Sequence, residues 1–233
     1  MIEMSNKKEQ KEVATKSEKM QNGLSNFIIG NRKLLIIIGC VLLAILVALG
    51  VVLYVNDRNL EKQFAQIDSL QAAYTSLMAE DASGEGYQEK LDSLIAGMKA
   101  LSVSGGKKYP GARAEYALGL VYWDQADYQQ AMEAFLDVHS RMSGTYLGSL
   151  SLFNAGACAE ELGDDTKAIE YYQRIWDDYG NQAAESPKAL FGIARLNEKA
   201  GNTELAQATF QQLADEFPSS EYAKLAQNRL LLL

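Results

Sequence analysis

The stretch ARAEYALGLVYWDQADYQQAMEAFLDV, residues 112–138, recurs in outline twice more in this chain of 233 residues. Residues 149–180 carry the second copy and residues 187–218 the third. A period of this length predicts a stack of one repeated supersecondary unit rather than a single globular core. One alanine marks the same position of each copy, with spacings of 37 and 38 residues: Ala131, Ala168 and Ala206.

The small and aromatic residues of these copies resemble the consensus of the tetratricopeptide repeat, a pair of antiparallel helices. The resemblance implies an all-α fold in which successive helical pairs stack into a right-handed solenoid. We predict repeats over about 112–145, 149–182 and 187–220, and a capping helix over 221–233. The resemblance also implies a repeat core of small residues at helix crossings and aromatic residues between helical pairs. Its members are Leu118, Gly119, Tyr122, Ala131, Phe135, Gly156, Ala168, Tyr172, Ala206 and Phe210.

In that family the first helix of each repeat lines an inner face, on which protein partners bind. The corresponding positions here form a candidate groove of Arg113, Tyr116, Leu120, Trp123, Phe153, Glu160, Phe191 and Arg195. Aromatic and arginine side chains are frequent anchors of protein partners. Packing of Tyr116, Phe153 and Phe191 between helices is an equal alternative. The groove lacks the ring of lysine and asparagine with which some members of the family bind chaperone tails.

Residues 34–55 read LLIIIGCVLLAILVALGVVLYV, without a charge, an amide or a proline. As a helix this stretch would be about 33 Å long, enough to cross a hydrocarbon core of roughly 30 Å. The sequence therefore predicts a transmembrane helix. A cleaved signal peptide ending near residues 48–50 and lipid attachment at Cys40 are alternatives. The small residues Cys40, Ala44 and Ala48 would also suit close approach of a second helix.

The two flanks of this stretch differ in charge. Residues 1–33 carry a net charge of +3 and residues 56–233 one of −11, which together give −8 for the chain. Within about 20 residues of the stretch, the N-terminal side carries four basic residues and the C-terminal side carries only Arg58 and Lys62. This excess predicts a cytoplasmic N-terminus in a bacterial inner membrane, with the C-terminal domain in the periplasm. The polar composition of residues 1–33 predicts a mostly disordered tail. The acidic C-terminal part argues against a nucleic-acid partner.

Residues 56–111 are predicted to form a helical hairpin before the repeats. Apolar residues follow helical spacing from Leu60 to Met78 and again from Tyr87 to Leu101, on either side of a run of turn-forming residues. The glycines and the proline between residues 102 and 111 predict a loop that leads into the first repeat.

No catalytic, cofactor or metal site is predicted. His139 is the only histidine of the sequence, and its place near a helix C-terminus predicts a surface residue. Cys40 and Cys158 lie in separate segments, which excludes a zinc-type cysteine pair. The carboxylates of Glu160 and Glu161 are predicted to lie at a solvated helix end. We therefore expect no enzymatic activity, no cofactor and no small-molecule substrate.

The order of these segments resembles the single-pass inner-membrane ancillary subunit of the Sec translocon. In both, a charged tail, one span and a hairpin precede the repeats. The resemblance implies a non-catalytic adaptor whose partners are translocon subunits and a membrane-anchored periplasmic chaperone. A structural subunit of another envelope machine is the alternative, in outer-membrane assembly, cell division or the flagellar apparatus.

Overall fold

The computed structural model describes residues 19–233 of the chain. The chain divides into two units, Met1–Asn59 and Leu60–Leu233, which we describe separately. Helix α1, Arg32–Met78, contains both the apolar stretch of the first unit and the first helical segment of the second.

The described part of the predicted polar tail contains a helix. Residues 19–30 are helical and residue 31 is a turn, within a tail that the sequence predicts to be mostly disordered. The remainder of the predicted tail, residues 1–18, lies outside the described residues. Met20, Leu24 and Phe27 follow helical spacing, and this local signal carries more weight than the overall polarity of the tail.

The apolar stretch of α1 is long enough and apolar enough to cross a membrane, judged by length and composition. It is the only such helix among the residues that the structure describes. None of the side chains of residues 34–55 is buried in the fold. An uninterrupted apolar surface of this kind is unusual on a helix that faces water on every side.

The second unit consists of helices that pack consecutively along the chain. The described residues are helical or irregular, and they include no strand, which confirms the prediction of an all-α solenoid of helical pairs. After α1 the helices are α2 (Tyr87–Gly105), α3 (Tyr109–Asp124), α4 (Tyr128–Met142), α5 (Tyr146–Glu161), α6 (Asp165–Tyr179), α7 (Ser186–Lys199), α8 (Thr203–Glu216) and α9 (Glu221–Leu230), with a 3₁₀ turn at Gly180–Gln182.

The predicted loop between residues 102 and 111 is wrong, because α2 continues to Gly105 and α3 already begins at Tyr109. Gly105 and Gly111 serve close packing, whereas Gly106 adopts a positive φ of 55° in the short turn between the two helices. A Cβ atom on Gly105 would lie 2.5 Å from the Cα atom of Gly111, which leaves no room for a side chain where α2 crosses α3. Pro110 lies in the first turn of α3, where proline costs no helical hydrogen bond.

The last turns of α1 pack on α3. They take the place of the first helix of an additional helical pair. The Tyr74 hydroxyl donates to Asp124 Oδ2 at 2.7 Å, and Arg113 forms an ion pair with Asp68 at 3.0 Å. Helix α2 contacts α3 in the way that α4 contacts α5, and Arg141 of α4 donates to Ser102 of α2. The end of α1 also contacts α2, because a Cβ atom on Gly97 would lie 2.9 Å from Leu70 Cδ2. The end of α1 and α2 therefore form a fourth helical pair in front of the three predicted repeats.

His139 is buried, so its predicted surface position is wrong. It lies four residues after Phe135 on the face of α4 that turns toward α5 and α6. Arg174 can only donate, so His139 Nε2 accepts from Arg174 Nη2 at 2.9 Å and Nδ1 donates to the Gly148 carbonyl oxygen at 3.1 Å. This lone histidine joins three helices by hydrogen bonds.

The turns inside the three repeats share one backbone conformation. Gly163 and Gly201 occupy the left-handed region with φ of 76° and 78°, and Ala126 stands at the equivalent place in the first repeat with φ of 57°. Each of these turns leads into a helix whose preceding residue is Asp127, Asp164 or Asn202. A Cβ atom in the left-handed region costs roughly 1–2 kcal/mol, so the first repeat is strained at Ala126.

We predict that Ala126→Gly raises the free energy of unfolding by about 0.5–1 kcal/mol, since glycine removes that strain at a smaller entropic cost. Thermal melting of the full chain in detergent, followed by circular dichroism, measures the change. Ala100→Gly is the matched control, because Ala100 is exposed within α2 and glycine there should destabilise by a similar amount. A loss of stability in both variants would contradict the strained turn.

Candidate partner-binding groove

An open groove lies between α5, α7 and α9, and its volume is about 260 Å³. We name it the α5–α7–α9 groove. Side chains of α5 and α7 form two of its walls, a residue of α9 closes the third side, and Tyr172 of α6 lies at its base. The lining residues are Phe153, Ala157, Glu160, Tyr172, Lys188, Phe191, Gly192, Arg195 and Tyr222.

Helical periodicity explains why these residues share one surface. On α5 the lining residues are Phe153, Ala157 and Glu160, which are spaced by four and three positions and so lie on one face. On α7 the side chains that line the groove are, in chain order, a cation, an aromatic ring and a second cation. These three are Lys188, Phe191 and Arg195.

The ring of Tyr172 forms the base of the groove because glycine faces it on both sides. A Cβ atom on Gly156 of α5 would lie 2.4 Å from Tyr172 Cε1, and one on Gly192 of α7 would lie 2.9 Å from Cε2. Phe153 stacks on the same ring with a centroid distance of 5.2 Å and an interplanar angle of 27°. Larger residues at either glycine would force the ring out of its place.

Glu160 is held by two partners at the edge of the groove, so it is not solvated as predicted, whereas Glu161 beside it at the same helix end is exposed. The Tyr172 hydroxyl donates to Glu160 Oε1 at 2.8 Å, and Arg195 Nη2 donates to Oε2 of the same carboxylate. Burial of the phenol, together with the carboxylate beside it, raises the pKa of Tyr172 well above its ordinary value of 10.0. The carboxylate therefore links α5, α6 and α7.

Lys188 stands at the other end of the groove with its ammonium group over an aromatic face. Its Nζ atom lies 4.3 Å from the centroid of the Phe153 ring, within the range of a cation–π interaction. Arg195 forms an ion pair with Glu160, whereas Lys188 has no carboxylate within 4.0 Å among the described residues.

The structure brings together four of the eight residues of the predicted groove, and separates the other four from them. Phe153, Glu160, Phe191 and Arg195 line the α5–α7–α9 groove. The other four lie on α3: Arg113, Tyr116, Leu120 and Trp123.

The α3 face is largely occupied by the chain itself. Arg113 contacts Asp68 and donates to Gln71 Oε1 at 2.5 Å, both on α1. The Tyr116 ring packs 5.3 Å from Phe135, and its hydroxyl accepts a hydrogen bond from Asn154. Trp123 packs edge-on against Tyr128, and of these four residues only Leu120 is exposed, at 39% of its surface. Tyr116 therefore packs between helices, which is the alternative that the sequence left open for it.

The residues of the predicted repeat core are all buried. The glycine and aromatic residues of the first two repeats meet directly, since a Cβ atom on Gly119 would lie 2.6 Å from Phe135 and one on Gly156 would lie 2.4 Å from Tyr172. The other buried members are Leu118, Tyr122, Ala131, Ala168, Ala206 and Phe210.

Five lining residues are absent from the predicted groove, and for two of them, Lys188 and Tyr222, the sequence contains a signal. Lys188 stands three positions before Phe191 and so lies on the same face of α7. Tyr222 follows Ser220, whose side chain accepts from the Ala223 backbone N–H at 3.0 Å and starts α9. Tyr222 packs 5.8 Å from Phe191, so the final helix closes the groove as well as covering the last repeat.

A second depression, of about 540 Å³, lies between the end of α1 and the start of α2. An ion pair between Lys90 and Glu80 at 2.6 Å crosses it, and its lining contains no aromatic residue. Aromatic anchors distinguish the smaller groove from this depression, which is why we take the smaller one as the candidate site.

The described residues contain no cluster of three His, Cys, Asp or Glu side chains that could hold a metal ion. Burial raises the pKa of the Cys158 thiol to about 12, so the thiolate form is scarce at neutral pH. Cys40 is exposed on the apolar part of α1, in the other unit.

Comparison with known proteins assigns the fold to a family. The family model described as protein kinase G tetratricopeptide repeat matches residues 109–233, more than half of the chain. The chain is a tetratricopeptide repeat protein. This confirms the resemblance noted from the small and aromatic residues. Repeats of this family are typically non-catalytic.

Two relatives and one solved structure are similar to this tetratricopeptide repeat protein. A TPR repeat-containing protein of Treponema pallidum (strain Nichols) is 26% identical over 155 residues, which are 66% of this chain and 64% of the relative. The chain thus spans less than two thirds of that protein. The photosystem I assembly protein Ycf3 of Cyanophora paradoxa is 29% identical over 59% of this chain and 81% of its own. A solved structure of nearly identical TPR-like repeats from Podosopora anserina has a TM-score of 0.51 at 10% identity, covering 72% of this chain and 83% of that one.

We predict that Tyr172→Phe lowers the free energy of unfolding by about 1–2 kcal/mol at neutral pH, because it removes the hydrogen bond to Glu160 and keeps the ring. The folded-state pKa of Tyr172 is raised, so its contribution is complete below the unfolded value of 10.0 and is lost as the pH rises above it. Wild type should therefore lose up to about 1.4 kcal/mol per pH unit from this group above pH 10, a slope that the variant lacks.

Chemical denaturation of the full chain between neutral pH and alkaline pH measures both effects. Tyr171→Phe is the matched control, since Tyr171 is the half-buried neighbour on the same helix and makes no hydrogen bond to a carboxylate. Equal alkaline slopes in wild type and Tyr172→Phe would refute the role of this hydroxyl.

Proposed function

We propose that this tetratricopeptide repeat protein is a non-catalytic scaffold that binds a segment of a partner protein in the α5–α7–α9 groove. The observation that carries the proposal is the convergence of aromatic rings from four helices with charged groups in one open cleft. Phe153, Tyr172, Phe191 and Tyr222 come from α5, α6, α7 and α9, respectively.

The size and composition of the groove favour a peptide segment over a small metabolite. Small-molecule sites enclose most of the ligand surface in pockets of about 300–1,000 Å³, whereas this groove is smaller and open along one side. Aromatic and arginine residues around a recess are the usual anchors of protein partners. Family membership supports the same reading, since tetratricopeptide repeats bind protein partners.

We propose further that residues 34–55 anchor the chain in a bacterial inner membrane, with the N-terminus in the cytoplasm and the repeats in the periplasm. Two observations support the anchor: the stretch has no charged residue, and none of its side chains is buried by the fold. The difference in basic residues between the two flanks supports the orientation.

The partner proposed first is the Sec translocon together with a membrane-anchored periplasmic chaperone, on the grounds of segment order. A subunit of another envelope machine is the second candidate. The name of the Cyanophora paradoxa relative describes an assembly protein, and an assembly role for this chain is compatible with either candidate.

A variant that fills the groove tests the binding site. We predict that Ala157→Trp abolishes capture of the partner while the melting temperature stays near that of wild type, because Ala157 lines the groove and is only half-buried. Crosslinking in gently solubilised membranes, followed by mass spectrometry, measures capture. Ala208→Trp, at an exposed position of α8 outside the groove, is the matched control. Unchanged capture by Ala157→Trp would exclude the groove as the binding site.

A reporter that is active only outside the cytoplasm tests the membrane topology. We predict activity when the reporter follows Leu233 and no activity when it precedes Met1, because the basic flank stays on the cytoplasmic side. The identity of the crosslinked proteins separates the two partner candidates. The reverse reporter pattern would refute the proposed orientation.

A further inference from the structure

The charges around the α5–α7–α9 groove are unevenly matched. Its lining contains two cations and one carboxylate, and that carboxylate, Glu160, already accepts from Arg195 and Tyr172. The cation at the other end, Lys188, faces the Phe153 ring of α5, where a carboxylate would complete a pair. The groove therefore carries one positive charge in excess.

The acidic residue nearest to Lys188 in the sequence precedes α7 and contacts α5 instead. Glu185 stands three positions earlier, and its Oε2 atom accepts a hydrogen bond from Ser149 Oγ at 2.8 Å. No ion pair between Glu185 and Lys188 forms within 4.0 Å in the described part of the chain, whereas Lys167 and Lys224 each pair with an acid three positions away. The ammonium group of Lys188 is thus available to a carboxylate of a partner, whereas Lys167 and Lys224 form ion pairs with acidic residues of their own helices or helix caps.

This excess charge stands out against the rest of the repeat region. Residues 56–233 have a net charge of −11, so the surface around the groove repels acidic segments in general. Lys188 attracts an acidic partner at a position next to the aromatic rings. Charge and apolar anchoring therefore coincide at one place.

We propose that the groove recognises a partner segment in which an acidic side chain directly neighbours an aromatic or leucine side chain. The apolar side chain packs between Phe153 and Phe191, and the carboxylate accepts from the ammonium group of Lys188. This proposal rests on the proposed function, since it names the chemistry of the segment that the same groove binds.

A random peptide library displayed on phage, selected against the full chain in lipid nanodiscs, supplies the probe. Peptides whose capture is lost in Ala157→Trp are the groove-dependent ones. We expect these peptides to be enriched in Asp or Glu next to Phe, Tyr, Trp or Leu. The Lys188→Gln variant should bind them about tenfold more weakly, the loss expected for one charge-assisted hydrogen bond at a partly exposed site.

Lys199→Gln is the matched control, because Lys199 lies on the same helix, pairs with Asp165 at 2.6 Å and does not line the groove. Synthetic peptides with Glu replaced by Gln, each with a free or an amidated C-terminus, identify which carboxylate is bound. Loss of affinity on replacing Glu supports the proposal, whereas loss only on amidation would show that the groove takes a chain terminus and overturn it.

Two further outcomes separate this proposal from the proposed function. Groove-dependent peptides without acidic enrichment, or with equal affinity for wild type and Lys188→Gln, would overturn the acidic preference and leave the binding site intact. A selection that yields no peptide sensitive to Ala157→Trp would overturn the binding site, and the acidic preference with it.

Discussion

The C-terminal half of the repeat stack depends on the packing of the Tyr172 ring between two neighbouring helices. Glycine lies on both sides of it, Gly156 from the helix before and Gly192 from the helix after. A ring in this place ties α6 to α5 within one repeat and to α7 of the next. The same ring is the base of the groove and directs its hydroxyl at Glu160, so the stability of the stack and the shape of the site share one side chain.

The location of the groove follows from which faces the chain covers itself. At the start of the stack, α1 packs on α3 through Asp68 and Gln71, and these contacts use the side chain of Arg113. At the other end, α9 contributes Tyr222 and leaves the cleft between α5 and α7 open. Within the described residues, a solenoid that looks periodic in sequence therefore leaves an aromatic-lined cleft open between α5 and α7, while its first repeat is covered by α1.

The sequence was sufficient for the repeated helical pairs, because glycine and aromatic residues at fixed spacing specify close crossings wherever they occur. It was insufficient between residues 102 and 111, because a glycine at a helix crossing and a glycine in a loop look the same in one dimension. His139 was misplaced for a similar reason: its position near a helix end suggested exposure, whereas its face of α4 meets two other helices. Four of the eight predicted groove residues share one cleft because consensus positions identify helix faces. The other four do not, because the consensus does not say which face α1 covers.

Site-specific photocrosslinking in cells that express the full chain tests the central claim most directly. A benzophenone amino acid at Phe191 places the reactive group in the α5–α7–α9 groove, and the same amino acid at Leu120 places it on the exposed part of α3. The account predicts that a partner protein is crosslinked from position 191 and not from position 120. Crosslinks from position 120 alone would show that partners bind the first repeat, and would contradict the account.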